Sequence, residues 1–329
     1  MKILMRPLIA SLIVFFFAST IHITRSFAAD APQWHLPVGA IAHLGGEAIN
    51  DIAYSPDGEL LAAASANGIW LYDTVTHQEV TRLVEHTDSV VSISFSPDGK
   101  MLASGDSSGN VYLWDVATGT RLWSWHVHSG RVSISFRPDG KKLASAGRHE
   151  IFLWDVATGR NHSFEYDWYG GFQSVLFSPD ARMLAGGVSN GEVYLWDAAT
   201  GRIRHTFKGH TDSVLSVAFN PSGLIVASAG LDQTVRLWNV ITGELRHTLE
   251  GHTFDVNRVS FRPDGRILAS AVIRQCVYGV LSLASPYGHF RHTPVSSIVS
   301  LLVRMVRRWQ ARVRTGKSFS GRSDGPLPM

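Results

Sequence analysis

Residues 209–244 read GHTDSVLSVAFNPSGLIVASAGLDQTVRLWNVITGE, and the fold is decided there. SVLSVAF (213–219) alternates apolar and polar positions, the period of a half-buried β-strand. NPSG (220–223) is a turn sequence: proline fixes φ, asparagine bonds back to nearby backbone, and glycine takes positive φ. LIVASA (224–229) predicts a strand of small side chains, and QTVRLWN (233–239) a β-branched and aromatic one. ITGE (241–244) turns the chain, and IRHTFKG (203–209) of the preceding unit predicts a fourth strand. One such unit buries neither face by itself, whereas units stacked side by side bury both.

The unit recurs. SPDG or a variant has its third residue at Asp57, Asp98, Asp139, Asp180, Ser222 and Asp264, in steps of 41 or 42. An aromatic followed by Asp or Asn recurs at Tyr72-Asp73, Trp114-Asp115, Trp154-Asp155, Trp196-Asp197 and Trp238-Asn239. Histidines open units at His86, His128, His210 and His252. This pattern closely resembles the WD-repeat family of β-propellers, over about residues 40–271. The resemblance implies an all-β propeller of four-stranded blades, five complete plus part of a sixth. It also implies a buried structural network of His, Ser or Thr, Asp and Trp in each blade. One unit carries all four, at His210, Ser228, Asp232 and Trp238. The Asp place is Ser108 in the second unit and Asn190 in the fourth; the third unit is a residue shorter there, and the first has Tyr72 for Trp.

After Ala271 the pattern stops: RILASAVIRQCVYGVLSL (266–283) agrees with LIVASAGLDQTVRLWNV (224–240) through Ala-Ser-Ala and then lacks its Asp and its Leu-Trp-Asn. Back-translation in a shifted frame restores it. The codons of Arg274–Gly279 can then give Thr-Val-Arg-Leu-Trp, in register with the preceding unit. Those of Val303–Ala311 can give Ser-Pro-Asp-Gly-x-x-Leu-Ala-Ser, with Gly forced by Met305-Val306 and Ala by Trp309-Gln310. Residues 272–329 are therefore expected to be an out-of-frame, poorly ordered tail after a one-base loss or two-base gain near codon 271. The other frame implies seven blades, with VGAIAHL (38–44) supplying the outer strand of the seventh.

At the other end, Lys2 and Arg6 precede an apolar run from Leu8 to Ala18, and small residues stand at Ser26 and Ala28. Residues 1–29 thus read as a signal peptide, giving a secreted or periplasmic protein. An uncleaved N-terminal anchor is the alternative, because apolar residues continue to Ile23. Charge is uneven. Residues 1–29 hold three basic and no acidic side chains, and 272–329 nine and one; taken from totals of 30 and 27, this leaves 18 basic and 26 acidic in 30–271, about −8. Such a surface argues against nucleic acid or anionic membrane as partner. The single cysteine, Cys276, allows no disulfide framework.

Residues 30–271 contain no HExxH, CxxC pair, GxSxG or dinucleotide glycine motif, so no catalytic residue, cofactor or metal site is expected. ARVRTGKS (311–318) has Ala311 where a phosphate-binding loop needs glycine. His126 and His128 share a strand face, but His128 holds the unit-opening place and reads as structural. Trp70, Tyr112, Phe152 and Tyr194 read as packing between blades. Asn161-His-Ser is a glycosylation sequon. The expected function is a non-catalytic protein–protein interaction scaffold, exported, with no membrane span after signal cleavage. The resemblance places partner binding on loops at the unit boundaries, where Asp88, Asp212 and Asp255 stand with Arg131 and Arg258 nearby. Trp123 and Trp125, on a predicted outer strand, are a further candidate anchor. The alternatives are an extracytoplasmic propeller enzyme or glycan-binding protein, or a non-functional truncated product exposing sheet edges.

Overall fold

Among the described residues every regular element is a β-strand, and within each sheet successive strands pair antiparallel. The computed structural model describes residues 49–165, 170–272 and 275–279, which fall in one compact unit containing Leu44–His292. The first sheet is β1 (Ile49–Tyr54), β2 (Leu60–Ser65), β3 (Gly68–Asp73) and β4 (Glu79–Leu83). The second is β5 (Val90–Phe95), β6 (Met101–Asp106), β7 (Asn110–Asp115) and β8 (Arg121–His126). The third is β9 (Ser133–Phe136), β10 (Lys142–Ala146), β11 (Glu150–Asp155) and β12 (Asn161–Glu165). The fourth is β13 (Phe172–Phe177), β14 (Met183–Val188), β15 (Val193–Asp197) and β16 (Ile203–Phe207). The fifth is β17 (Val214–Phe219), β18 (Ile225–Gly230), β19 (Val235–Asn239) and β20 (Leu245–Leu249). The sixth has three described strands, β21 (Val256–Phe261), β22 (Leu268–Val272) and β23 (Gln275–Gly279). Five four-stranded blades and part of a sixth are what the repeat predicts.

The turns form for local reasons. Between β5 and β6 the Asp98 carboxylate accepts from Ser96 Oγ at 2.6 Å and from Lys100 N at 3.1 Å, while Gly99 takes φ 74°. Between β7 and β8, Asp115 Oδ1 accepts from the backbone N and the Oγ1 of Thr118, both at 2.8 Å. The aromatic-Asp pair thus has a divided task. The carboxylate fixes the hairpin, and the indole fills the core. Trp114, Trp154, Trp196 and Trp238 are fully buried. Taking ~200 Å² of indole from water is worth about 5 kcal/mol before side-chain entropy is subtracted.

Five hydrophobic clusters are shared between consecutive sheets and one lies within the first sheet: Ile69, Leu71 and Leu83 of the first pack with Ile93, Phe95 and Trp114 of the second. The fifth and sixth share another, through Leu237, Leu249, Val259 and Phe261. Hydrogen bonds stitch the first strands of adjacent sheets. Asp51, Ser92, Ser133, Ser174 and Ser216 accept from the backbone N–H of Ile93, Ile134, Val175, Val217 and Val259, at 3.0–3.3 Å.

The sixth sheet departs from expectation in one respect. Residue 271 lies inside β22, and the backbone of Gln275–Gly279 pairs with that strand as far as Leu268↔Gly279. Strand pairing uses main-chain groups that every residue carries, so a changed side-chain pattern still permits a third strand. Residues 1–29, the strand expected over 38–44, and 280–329 lie outside the described residues, as does the Cys276 side chain.

Candidate functional site

Two groups of polar side chains stand out: one enclosed within the sheets and one at the starts of the first strands. In the fifth sheet, Ser228 on β18 faces Arg236 of β19 across the ladder, which brings its hydroxyl beneath the Trp238 indole. Trp238 Nε1 donates to Ser228 Oγ at 2.8 Å, and His210 Nε2 meets the same oxygen at 2.7 Å. His210 Nδ1 lies 2.8 Å from Asp232 Oδ2, and Thr234 Oγ1 donates to Asp232 Oδ1 at 2.9 Å. Burial pushes the His210 pKa down, against the pull of Asp232, with Arg236 adding to the fall. Neutral His210 donating to Asp232 and accepting from Ser228 satisfies every group in the set.

The second sheet builds the same arrangement from a residue that sequence reasoning passed over. His86 Nδ1 lies 3.0 Å from Asp106 Oδ2, its Nε2 lies 2.7 Å from Ser104 Oγ, and Trp114 Nε1 donates to that oxygen at 2.8 Å. The acid comes from position 106, at the end of β6, and not from 108, where the fifth-sheet spacing places it. Burial opposes ionisation of Asp106, but bonds from His86, from the Asn110 side chain and backbone, and from Ser108 N outweigh it, lowering the pKa to about 2. Asn110, four residues on, was the available signal. The third sheet has the His128–Ser145–Trp154 part alone, at 2.8 Å for each contact, and burial lowers the His128 pKa to about 4.

Ser, His and Asp in series also describe a hydrolase nucleophile, but not here. Ser104 and Ser228 are fully buried and each accepts an indole N–H. Neither hydroxyl faces a space in which a substrate carbonyl could sit. His126, exposed, bonds Asn110 Oδ1 at 2.9 Å, away from the buried His128. Among the described residues no group of three His, Cys, Asp or Glu is placed to hold a metal.

The second group is accessible. Asp212 and Asp255 are exposed and Asp88 is half-buried, each in the loop that leads into a first strand. Arg131 is exposed just before β9, and Arg258 lies on β21. Arg258 Nη2 donates to Asp51 Oδ1 at 3.0 Å, joining the sixth sheet to the first. Partial burial and Arg258 lower the Arg131 pKa, while Asp51 opposes the fall. The structure therefore joins Arg258 to Asp51. Asp51 had no sequence signal except its place in the serine series.

The tryptophan pair differs from expectation. Trp125 is half-buried, stacked on Trp154 of the third sheet at 4.3 Å between centroids. Trp123, 38% exposed, stacks on Trp125 at 5.9 Å and covers the Gly159 turn, where a Cβ would meet its ring at 3.0 Å. Phe164 over Gly201 and His205 over Gly243 repeat that contact in later sheets. An outer strand leans on the next sheet's hairpin, so the pair packs between blades with one indole edge left in solvent.

A family model described as "WD domain, G-beta repeat" matches residues 37–73, 77–115, 119–155, 166–197, 201–239 and 243–274. Each of the first five matches ends on the aromatic-Asp or -Asn pair, and the sixth ends at Arg274 without one. No curated protein matches the chain.

Proposed function

The chain belongs to the WD-repeat family, and from that premise we propose that it is a non-catalytic scaffold that holds protein partners outside the cytoplasm. WD-repeat proteins mediate protein–protein interaction, and the one observation that carries the non-catalytic reading is the sealing of both His–Ser–Asp sets. Their hydroxyls are committed to indoles, so the groups most able to do chemistry act as struts. What is left accessible is a set of short polar loops leading into first strands, with Asp88, Arg131, Asp212 and Asp255, and Arg258 within β21. A rigid frame carrying variable loops suits recognition. Export rests on the leader in residues 1–29, and the reading of 272–329 as a shifted frame rests on the restored repeat.

The test uses the full tagged chain in its source cell. Fractionation should recover it outside the cytoplasm, and cross-linking should capture a discrete protein that the triple Asp88→Ala, Asp212→Ala, Asp255→Ala variant fails to capture. Hydrolysis of glycans or esters by purified protein would overturn the non-catalytic reading. Resequencing the codons for 265–285 decides the frame, and an unchanged sequence points to the product of a damaged gene.

A further inference from the structure

Two asparagines in the chain have Ser or Thr two places on, in Asn161-His162-Ser163 and Asn220-Pro221-Ser222. The structure treats them in opposite ways. Asn220 is buried in the turn after β17, where its Nδ2 donates to Ser222 Oγ at 2.8 Å and its Oδ1 accepts from Ile225 N at 2.9 Å. Proline at the middle place also bars Asn220 from being a glycosylation acceptor. Asn161 opens β12, the last strand of the third sheet, opposite Trp154. Asn161, His162 and Ser163 are all exposed. Neither the Asn161 amide nor the Ser163 hydroxyl makes a hydrogen bond among the described residues. The other four outer strands pair through a register shift, whereas β12 pairs with β11 without one. An unbroken strand puts residues i and i+2 on one face, so the Asn161 amide and the Ser163 hydroxyl share a face in solvent. Phe164, on the opposite face, is buried over the Gly201 turn and anchors the strand. Outer strands elsewhere carry an arginine that deters pairing with another chain, Arg82 on β4, Arg121 on β8, Arg204 on β16 and Arg246 on β20, and β12 has none.

We infer that Asn161 is the acceptor of an N-linked glycan added during export, an inference that rests on the export reading above. In the transfer, Asn161 Nδ2 attacks the anomeric carbon of an oligosaccharide carried on a polyprenyl diphosphate. The C–N bond forms as the C–O bond to the diphosphate breaks. The diphosphate leaves with the electron pair, and an amide proton passes to a base of the transferase. On the folded chain the glycan projects from the outermost strand of its sheet, where it shields the edge that lacks an arginine.

The experiment is peptide mapping by mass spectrometry of the tagged full chain made in cultured animal cells. One arm keeps residues 1–29, and a parallel arm exchanges them for the leader of a secreted host protein. An amidase-sensitive oligosaccharide should be found at Asn161 and none at Asn220. Asn161→Gln and Ser163→Ala should each return the gel mobility to that of the bare chain, and Ser163→Thr should keep the glycan. A bare Asn161 in the host-leader arm overturns the inference, as does a glycan that survives Ser163→Ala. The glycosylated chain should unfold at a urea midpoint equal to or above that of Asn161→Gln. A lower midpoint would show that the glycan disrupts the rim and overturns the site as part of the folded protein. The two readings fail separately. A glycan in the host-leader arm alone supports the acceptor and sinks export by residues 1–29, whereas secretion of a bare chain in both arms sinks the acceptor and leaves export standing.

Discussion

Arg258 Nη2 lies 3.0 Å from Asp51 Oδ1 across 207 residues of chain, and the two occupy the same place in the first strands of the sixth and first blades. At the four places between them a serine performs a local stitch to the next sheet. Asp51 performs that stitch with one oxygen and receives Arg258 with the other. The long-range pair is thus built from a repeat position whose residue type changed at both ends of the series.

Separating the two tasks of Asp51 gives a first prediction. Asp51→Ser restores the serine of the other blades, so the bond from Ile93 N survives while the ion pair is lost. The pair is partly exposed, and its loss should cost about 1 kcal/mol or less. Asp51→Ala leaves the Ile93 N–H without its partner as well and should cost about 2 kcal/mol more. Urea unfolding of both variants and of Arg258→Gln measures the difference. Equal stability of the Ser and Ala variants would show that the stitch contributes nothing.

Ala181 gives the second. It occupies the glycine place of the turn after β13 and sits at φ 63°, where Gly58, Gly99, Gly140, Gly223 and Gly265 stand in the other five repeats. A Cβ in the left-handed region costs about 1–2 kcal/mol, and glycine's greater freedom in the unfolded chain returns about half of that. Ala181→Gly should therefore stabilise by roughly 0.5–1 kcal/mol, raising the urea midpoint with an unchanged slope. A lower midpoint would mean that the turn is not strained.

The unequal legibility of the fold and the site has a physical cause. Strands, turns and buried tryptophans follow from period-two patterning, Pro-Asp-Gly chemistry and an apolar indole, all of which act over a few residues. The blade count among the described residues followed directly. Asp106 was missed because a buried imidazole accepts a carboxylate from either of two nearby backbone positions, and the fifth-sheet spacing indicated only one. Asp51 with Arg258 was missed for another reason, since nothing within 42 residues of either hints at a contact spanning five blades. Trp125 stands beside Trp123 as a candidate anchor in the sequence because an outer strand alternates as if one face met water, whereas that face meets the next sheet's Trp154.

His128 predicts a mild-acid transition. Burial lowers its pKa from 6.5 to about 4, and it has Ser145 as partner but no carboxylate. The folded-state pKa of this base is depressed, so the unfolded chain binds the extra proton first. Stability is full above pH 6.5 and falls as pH drops from there toward 4, by about 3 kcal/mol at the lower end. His128→Gln, which keeps a group able to meet Ser145, should flatten that part of the curve. Urea midpoints between these pH values check it, and an equally steep curve for the variant would place the titration elsewhere.

Asp106 extends the argument to stronger acid and separates the second blade from the third. Its pKa falls from 3.8 to about 2 because His86, Asn110 and Ser108 donate to it, more than offsetting its burial. The folded form favours the carboxylate, so its contribution is complete above pH 3.8 and is lost as pH falls through 2. Asp106→Asn keeps the size and one acceptor oxygen but removes the charge. It should cost about 2 kcal/mol at neutral pH, the free energy of a shift this large, and the cost should vanish below the native pKa. Ser104→Ala tests the other end of the same set. Removing that oxygen strands Trp114 Nε1 and His86 Nε2 in a fully buried place, at about 2–4 kcal/mol and independently of pH. A pH-dependent cost for Asp106→Asn beside a constant one for Ser104→Ala would assign the charge and the hydroxyl separate parts in holding the blade. Identical pH profiles would show that the blade responds only to the loss of packing.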